Sequence, residues 1–201
     1  MCWLQVSDDR VQIASLSDWR PEPGARFNDG KMGPDGRYWA GVMDEGENQD
    51  IGALYACSQD GGFSVMDTGY RVPNGPTFSA DGTTAYHSDS WRQVIFAFDL
   101  GPDGSLKDKR EFLRFEEGEG HPDGMATDAE GNLWVAMWDG SRVEVISPGA
   151  ERVATVPIPT KRPTSCRFAD PECTELFVTS AAIGALAEDD DAGGLFRVRL
   201  G

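Results

Sequence analysis

Four short polar segments hold the residues best suited to chemistry: Arg26-Phe27-Asn28-Asp29-Gly30, Pro73-Asn74-Gly75-Pro76, His121-Pro122-Asp123-Gly124 and Arg162-Pro163-Thr164-Ser165-Cys166. Asn and Asp are hard oxygen donors that suit Ca²⁺, Mg²⁺, Mn²⁺ or a thiolate-free Zn²⁺ site, so Asn74 and Asp123 are the candidate ligands of one divalent cation. A cation with an open coordination position lowers the pKa of a bound water and polarises a carbonyl, which is a route to hydrolysis. Arg26 can make paired hydrogen bonds to a sugar-acid oxygen, and Asn28 can both donate to and accept from hydroxyls, with Asp29 orienting them. Each residue also has a plainer reading. Asn74 before Gly75 and Asp123 before Gly124 are Asx-turn sequences, and Arg26 with Asp29 would make a structural ion pair.

Other constellations fail. The chain has two histidines, His87 and His121, too few for a His-rich cage, and no Gly-x-Ser-x-Gly elbow. The stretch Gly118 to Gly124 has one residue too many for a dinucleotide fingerprint and precedes a strand pattern instead of a helix. Glu188-Asp189-Asp190-Asp191 lacks the alternating spacing of a calcium loop and reads as a solvated acidic loop. The four cysteines, Cys2, Cys57, Cys166 and Cys173, are scattered without zinc or thioredoxin spacing and read as reduced thiols.

The elements that must position the polar segments are strands. Gly (24) and Pro (12) punctuate short aromatic and β-branched runs, with no sustained helical periodicity, so the chain is expected to be all-β. Expected strands are Tyr38 to Val42, Ala53 to Cys57, Thr84 to His87, Val94 to Asp99, Leu133 to Met137, Arg142 to Ile146, Leu176 to Thr179 and Leu195 to Leu200. Asp35-Gly36, Asp60-Gly61, Asp81-Gly82, Asp103-Gly104 and Asp139-Gly140 are turn pairs whose Gly can supply a positive φ. An aromatic residue recurs as Trp39, Tyr86, Trp134 and Phe177, at spacings of 47, 48 and 43 residues. A unit of that length with several short strands is the signature of a β-propeller blade, against a β-sandwich with evenly spaced turns as the alternative. One domain over 1–201 with four blades, approximately 26–70, 71–115, 116–157 and 158–201, is expected. Each polar segment then opens a blade's innermost strand, so the four converge on the channel mouth, where buried polar groups call for a ligand.

Charge narrows the partners. Lys plus Arg is 18 against 34 Asp plus Glu, a net charge of -16, which repels nucleic acid and anionic lipid. The N-terminal residues lack a basic region followed by an apolar stretch, and no apolar run approaches about 18 residues, so a soluble cytoplasmic protein is expected.

Beyond the polar segments, ordered matches run through Gly36-Arg37-Tyr38-Trp39-Ala40-Gly41, Tyr86-His87-Ser88-Asp89-Ser90, Asp128-Ala129-Glu130-Gly131-Asn132-Leu133-Trp134-Val135-Ala136, Leu176-Phe177-Val178-Thr179-Ser180-Ala181 and Ala192-Gly193-Gly194-Leu195-Phe196. In these the chain resembles the SMP-30/gluconolactonase family, also called regucalcin-like. Its members are six-bladed β-propellers that hydrolyse sugar lactones with a divalent cation. The resemblance implies that Asn74 and Asp123 bind the metal, Asp123 acts as a base toward water, and Arg26 and Asn28 contact substrate. The family's acidic substrate residue falls among Asp44, Glu45 and Glu47. The lactone would open to its aldonic acid. A third metal ligand of the family, a Glu near its N-terminus, has no counterpart, since neither Glu22 nor Glu119 occupies its blade. The expectation is therefore about four of six blades, with exposed blade edges that invite self-association. A second function class follows: a non-catalytic or impaired propeller fragment that binds a divalent metal or a protein partner.

Overall fold

A sheet that is apolar on both faces must be covered on both sides, and this chain does so by stacking sheet upon sheet. The computed structural model describes residues 2–7, 10–15, 17–184 and 189–200, and every regular element among them is a β-strand. Met1, Asp8, Asp9 and Glu188, on which parts of the sequence reading fell, lie outside the described residues.

Strands β1 (Cys2–Ser7) and β2 (Arg10–Ser15) pair as a hairpin. The first blade follows as β3 (Ala25–Met32), β4 (Tyr38–Asp44), β5 (Gly52–Cys57) and β6 (Phe63–Tyr70). The second is β7 (Pro73–Phe78), β8 (Thr84–Asp89), β9 (Val94–Leu100) and β10 (Leu106–Arg114). The third is β11 (His121–Thr127), β12 (Leu133–Trp138), β13 (Arg142–Ile146) and β14 (Arg152–Pro157). The fourth has three described strands, β15 (Pro163–Phe168), β16 (Glu175–Ser180) and β17 (Leu195–Arg199). Within each sheet consecutive strands are antiparallel neighbours, and β3, β7, β11 and β15 lie against one another in that order, a four-blade propeller arrangement.

Each sheet-to-sheet interface is an apolar core. Trp39, Leu54 and Ala56 meet Phe78, Ala85 and Phe98 between the first two blades. Tyr86, Ile95 and Ala97 meet Met125, Leu133 and Val135 between the next two, and Val143 meets Leu176 and Val178 between the last two. The recurrent aromatics are the plugs: Trp39 packs edge-on to Phe78 at 5.5 Å and Trp134 to Phe168 at 5.2 Å. Their turns explain why Asp and the aromatic recur together. Asp35 accepts the Trp39 indole N–H at 3.1 Å and Asp128 that of Trp134 at 2.9 Å, so the turn residue satisfies a donor the core would otherwise strand. Asp139-Gly140 departs from the expected turn pattern: the positive φ (57°) belongs to Asp139. Gly140 serves close approach instead, because a Cβ there would lie 2.7 Å from that of Met137.

His87 sits fully buried in β8, edge-on to Tyr70 at 4.6 Å, and neither ring nitrogen has a hydrogen-bond partner. Burial pushes its pKa down to about 3, whereas an unfolded imidazole titrates near ~6.5. Below the unfolded value the unfolded chain takes up a proton that the fold refuses, so stability falls with decreasing pH down to about 3. The slope is about 1.4 kcal/mol per pH unit. Urea titrations should show His87→Leu losing less stability than the parent chain between about pH 7 and about pH 4; equal losses would mean that the imidazole is protonated inside the fold.

Candidate active site

The innermost strands cannot be regular if they are to aim polar side chains into the channel. Each carries a register shift at the same level: Phe27/Gly30, Asn74/Thr77, Pro122/Met125 and Pro163/Ser165. Such bulges leave residues outside the ladder and re-aim them, and here they fall on or beside Asn28, Asn74 and Asp123. The third and fourth blades also approach closely, since a Cβ on Gly124 would lie 2.6 Å from the Ser165 Cβ.

The result is one cavity of about 540 Å³ lined by Arg26, Asn28, Asn74 and Asp123 together. Among Asp44, Glu45 and Glu47, the carboxylate that lines it is Glu47, 4.0 Å from the Arg26 guanidinium. Asp44 is buried and accepts the Asn48 N–H at 2.9 Å, and Glu45 is exposed. No Arg26–Asp29 ion pair forms. Arg26 donates to Asn28 Oδ1 at 2.8 Å, while Asp29 accepts the N–H groups of Gly30 at 2.7 Å and Gly75 at 3.2 Å.

From Asn28 a chain of hydrogen bonds crosses three blades. Asn28 Nδ2 donates to Asn74 Oδ1 at 3.0 Å, Asn74 Nδ2 donates to Ser90 Oγ at 2.8 Å, and Ser90 Oγ donates to the Pro122 carbonyl at 2.5 Å. His121 Nδ1 meets the Ser90 carbonyl at 2.8 Å. Ser90 is the link that the sequence pattern missed, because it follows β8 instead of opening a blade; its signal is the run Ser88-Asp89-Ser90 leaving a buried strand. Trp91, Trp138 and Arg162 complete the wall.

Electrostatics single out Asp123. Burial raises its pKa well above the usual carboxylate range, the negative charge of Asp29 adds to that, and the Gly124 N–H opposes it. Burial likewise raises Asp29 and lowers Lys31, whose amine donates to Met125 O and to Thr77 Oγ1 at 3.2 Å. No cationic side chain bonds to Asp123 among the described residues. A desolvated carboxyl without a counter-charge, in one cavity with an Asn74 Oδ1 that keeps a lone pair, is a donor set whose chemistry fits a hard cation. Among the described residues no group of three or more His, Cys, Asp or Glu gathers into a cage.

The model of the SMP-30/gluconolactonase/LRE-like region matches residues 1–182. Regucalcin of Danio rerio is 38% identical over 194 residues, covering 92% of this chain and 66% of the relative. The crystal structure of a calcium-binding protein, regucalcin, from Agrobacterium tumefaciens superposes with a TM-score of 0.84 at 27% identity, over 98% of this chain and 72% of that one. Luciferin-regenerating enzyme superposes with a TM-score of 0.84 at 30% identity, over 94% and 66%. The chain thus spans about two thirds of the length of the curated relatives it matches.

Ser90→Ala removes the acceptor of Asn74 Nδ2 and the donor to Pro122 O in a buried setting. Unsatisfied buried groups cost about 1–3 kcal/mol, so urea unfolding should report a loss of about that size with an unchanged m-value. A loss within error of zero would show that the chain of hydrogen bonds contributes nothing to cohesion.

Proposed function

Because the chain belongs to the SMP-30/gluconolactonase/LRE-like family, we propose that this cavity hydrolyses a sugar lactone, of the gluconolactone kind, to its aldonic acid with one divalent cation. The observation that carries the reading is the desolvated Asp123 carboxyl, in one cavity with Asn74, Asn28 and Arg26. In this reading the four blades are part of a six-bladed type of propeller and 1–201 is one domain with repeats near 26–70, 71–115, 116–157 and 158–201. Its partner in this reading is a small-molecule lactone and its location the cytoplasm, and a net charge of -16 disfavours nucleic acid and anionic membranes.

Asn74 Oδ1 and Asp123 would hold the cation; the all-oxygen donor pair suits Ca²⁺, Mg²⁺ or Mn²⁺ better than Zn²⁺, and a relative described as calcium-binding favours Ca²⁺ among them. When bound, the cation supplies the positive charge that polarises a carbonyl. Asp123, whose carboxylate a bound cation would keep ionised, takes the proton of a water whose oxygen attacks the lactone carbonyl carbon. The ring C–O bond then breaks, and the leaving oxygen receives the proton back from Asp123. Arg26, held by Asn28 and faced by Glu47, and Asn28 itself bind the substrate's oxygens.

The second reading is a propeller that binds a divalent ion or a protein partner, self-association included, without turnover. It is favoured by the two-ligand donor set among the described residues. The test is hydrolysis of gluconolactone, corrected for spontaneous opening, with and without chelator. Asp123→Ala should lower kcat by about 10²- to 10⁴-fold, the usual weight of a general base, and Arg26→Ala should act mainly through KM. A folded chain whose Tm rises with added Ca²⁺ but which opens no lactone would establish the second reading.

A further inference from the structure

The cavity has a second wall that this chemistry does not use. Trp91, Trp138 and Ile183 line the cavity together with the polar groups, and Trp91 is 53% and Ile183 72% exposed. Large apolar side chains left this open inside a concavity, with polar groups converging beside them, mark a surface that a ligand covers.

The wall is also braced. The Arg71 guanidinium lies over the Trp91 ring at 5.1 Å, and that of Arg162 over the Trp138 ring at 4.9 Å. Each arginine is anchored in turn, Arg71 Nε to Asp50 at 2.8 Å and Arg162 Nε to Asp139 at 2.7 Å. Arg162 Nη1 also donates to the Ile183 carbonyl, tying the third member to the second. A cation stacked on one indole face fixes the ring and leaves the rest of it to make contacts. The hydroxyls of a lactone are matched by the hydrogen-bonding groups of Arg26, Asn28 and Glu47, whereas Trp91, Trp138 and Ile183 offer apolar surface.

We infer that Trp91, Trp138 and Ile183 receive an alkyl or aryl substituent of the substrate, so that the lactone this site prefers carries an apolar part beyond its ring. The inference rests on reading the cavity as a lactone site. It favours a substrate over a protein partner because the three residues line one cavity with Asp123.

δ-Valerolactone and δ-decalactone share one ring and differ by a pentyl chain. The parent chain should favour δ-decalactone by about tenfold or more in kcat/KM, the scale on which apolar pockets discriminate alkyl groups. That ratio should fall about tenfold in Trp91→Ala. Ile183→Ser, a change on an exposed loop outside the sheets, should lower the same ratio. Equal specificity constants in the parent chain, or an unchanged ratio in both variants, would overturn the inference. If gluconolactone is opened but neither of these lactones is, the inference is overturned; if gluconolactone is not opened either, the lactonase reading fails and calorimetric binding decides the wall: saturable uptake of δ-decalactone weakened in Trp91→Ala upholds it, and absence of uptake overturns it.

Discussion

The amine of Lys31 is the interaction on which the channel depends. It leaves β3, donates to Thr77 on β7 and to Met125 O on β11, and its charge is felt by Asp29 and by Cys166 on β15. One residue thereby addresses all four inner strands. An ammonium group taken out of water is tolerated only with such partners. Its presence in turn supports the buried Asp29, whose carboxyl collects two backbone N–H groups from neighbouring blades. Asp29 then acts at a distance on Asp123, adding to the burial that holds that carboxyl above its ordinary range. Fold and cavity are thus joined through a short electrostatic sequence from Lys31 to Asp29 to Asp123.

The inner strands meet two opposed demands. They must pair with the second strand of their blade, and they must present side chains to the channel at positions a regular pleat would not serve. A register shift at the same level in all four reconciles them. Stability meanwhile comes from a different place, the apolar layers between sheets, where Trp39, Ile95, Val135 and Val178 are wholly covered. Site and core are separated by only a few residues along each strand, yet the groups that line the cavity and the groups that cohere scarcely overlap.

That division also governs what could be read before any coordinates. The eight expected strands, Tyr38 to Val42 through Leu195 to Leu200, are the second and third strands of the four blades. Most of those strands are largely buried, and β5, β9 and β12 show as apolar runs, whereas β17 alternates exposed with half-buried residues and is marked by its Leu, Phe and Val. The outermost strands β6, β10 and β14 are mostly exposed, and a segment such as Leu106–Arg114 reads as a charged loop. The innermost strands were hidden by their own function, since Asn-Gly-Pro and Pro-Asp-Gly are turn sequences that here lie in bulged strands. Arg26, Asn28, Asn74 and Asp123 were legible from their placement at repeat starts, and all four line one cavity. Ser90, Trp91 and Trp138 were not, because each sits just after a second strand or at its end, where no repeated polar segment pointed to it. Glu47 could not be told from Asp44 and Glu45 by type; only the path of the loop separates them.

The run of hydrogen bonds from Asn28 through Asn74 and Ser90 to Pro122 O has a geometric consequence. Its members belong to three different sheets, and a hydrogen bond weakens steeply once its length or angle leaves a narrow range. The run therefore works as a gauge of blade pitch. Sliding along a strand changes little at the channel mouth, but rotating one sheet against its neighbour stretches a link. The angular spacing of the blades, a property of the whole ring, is transcribed into the distance between one amide oxygen and one carboxyl.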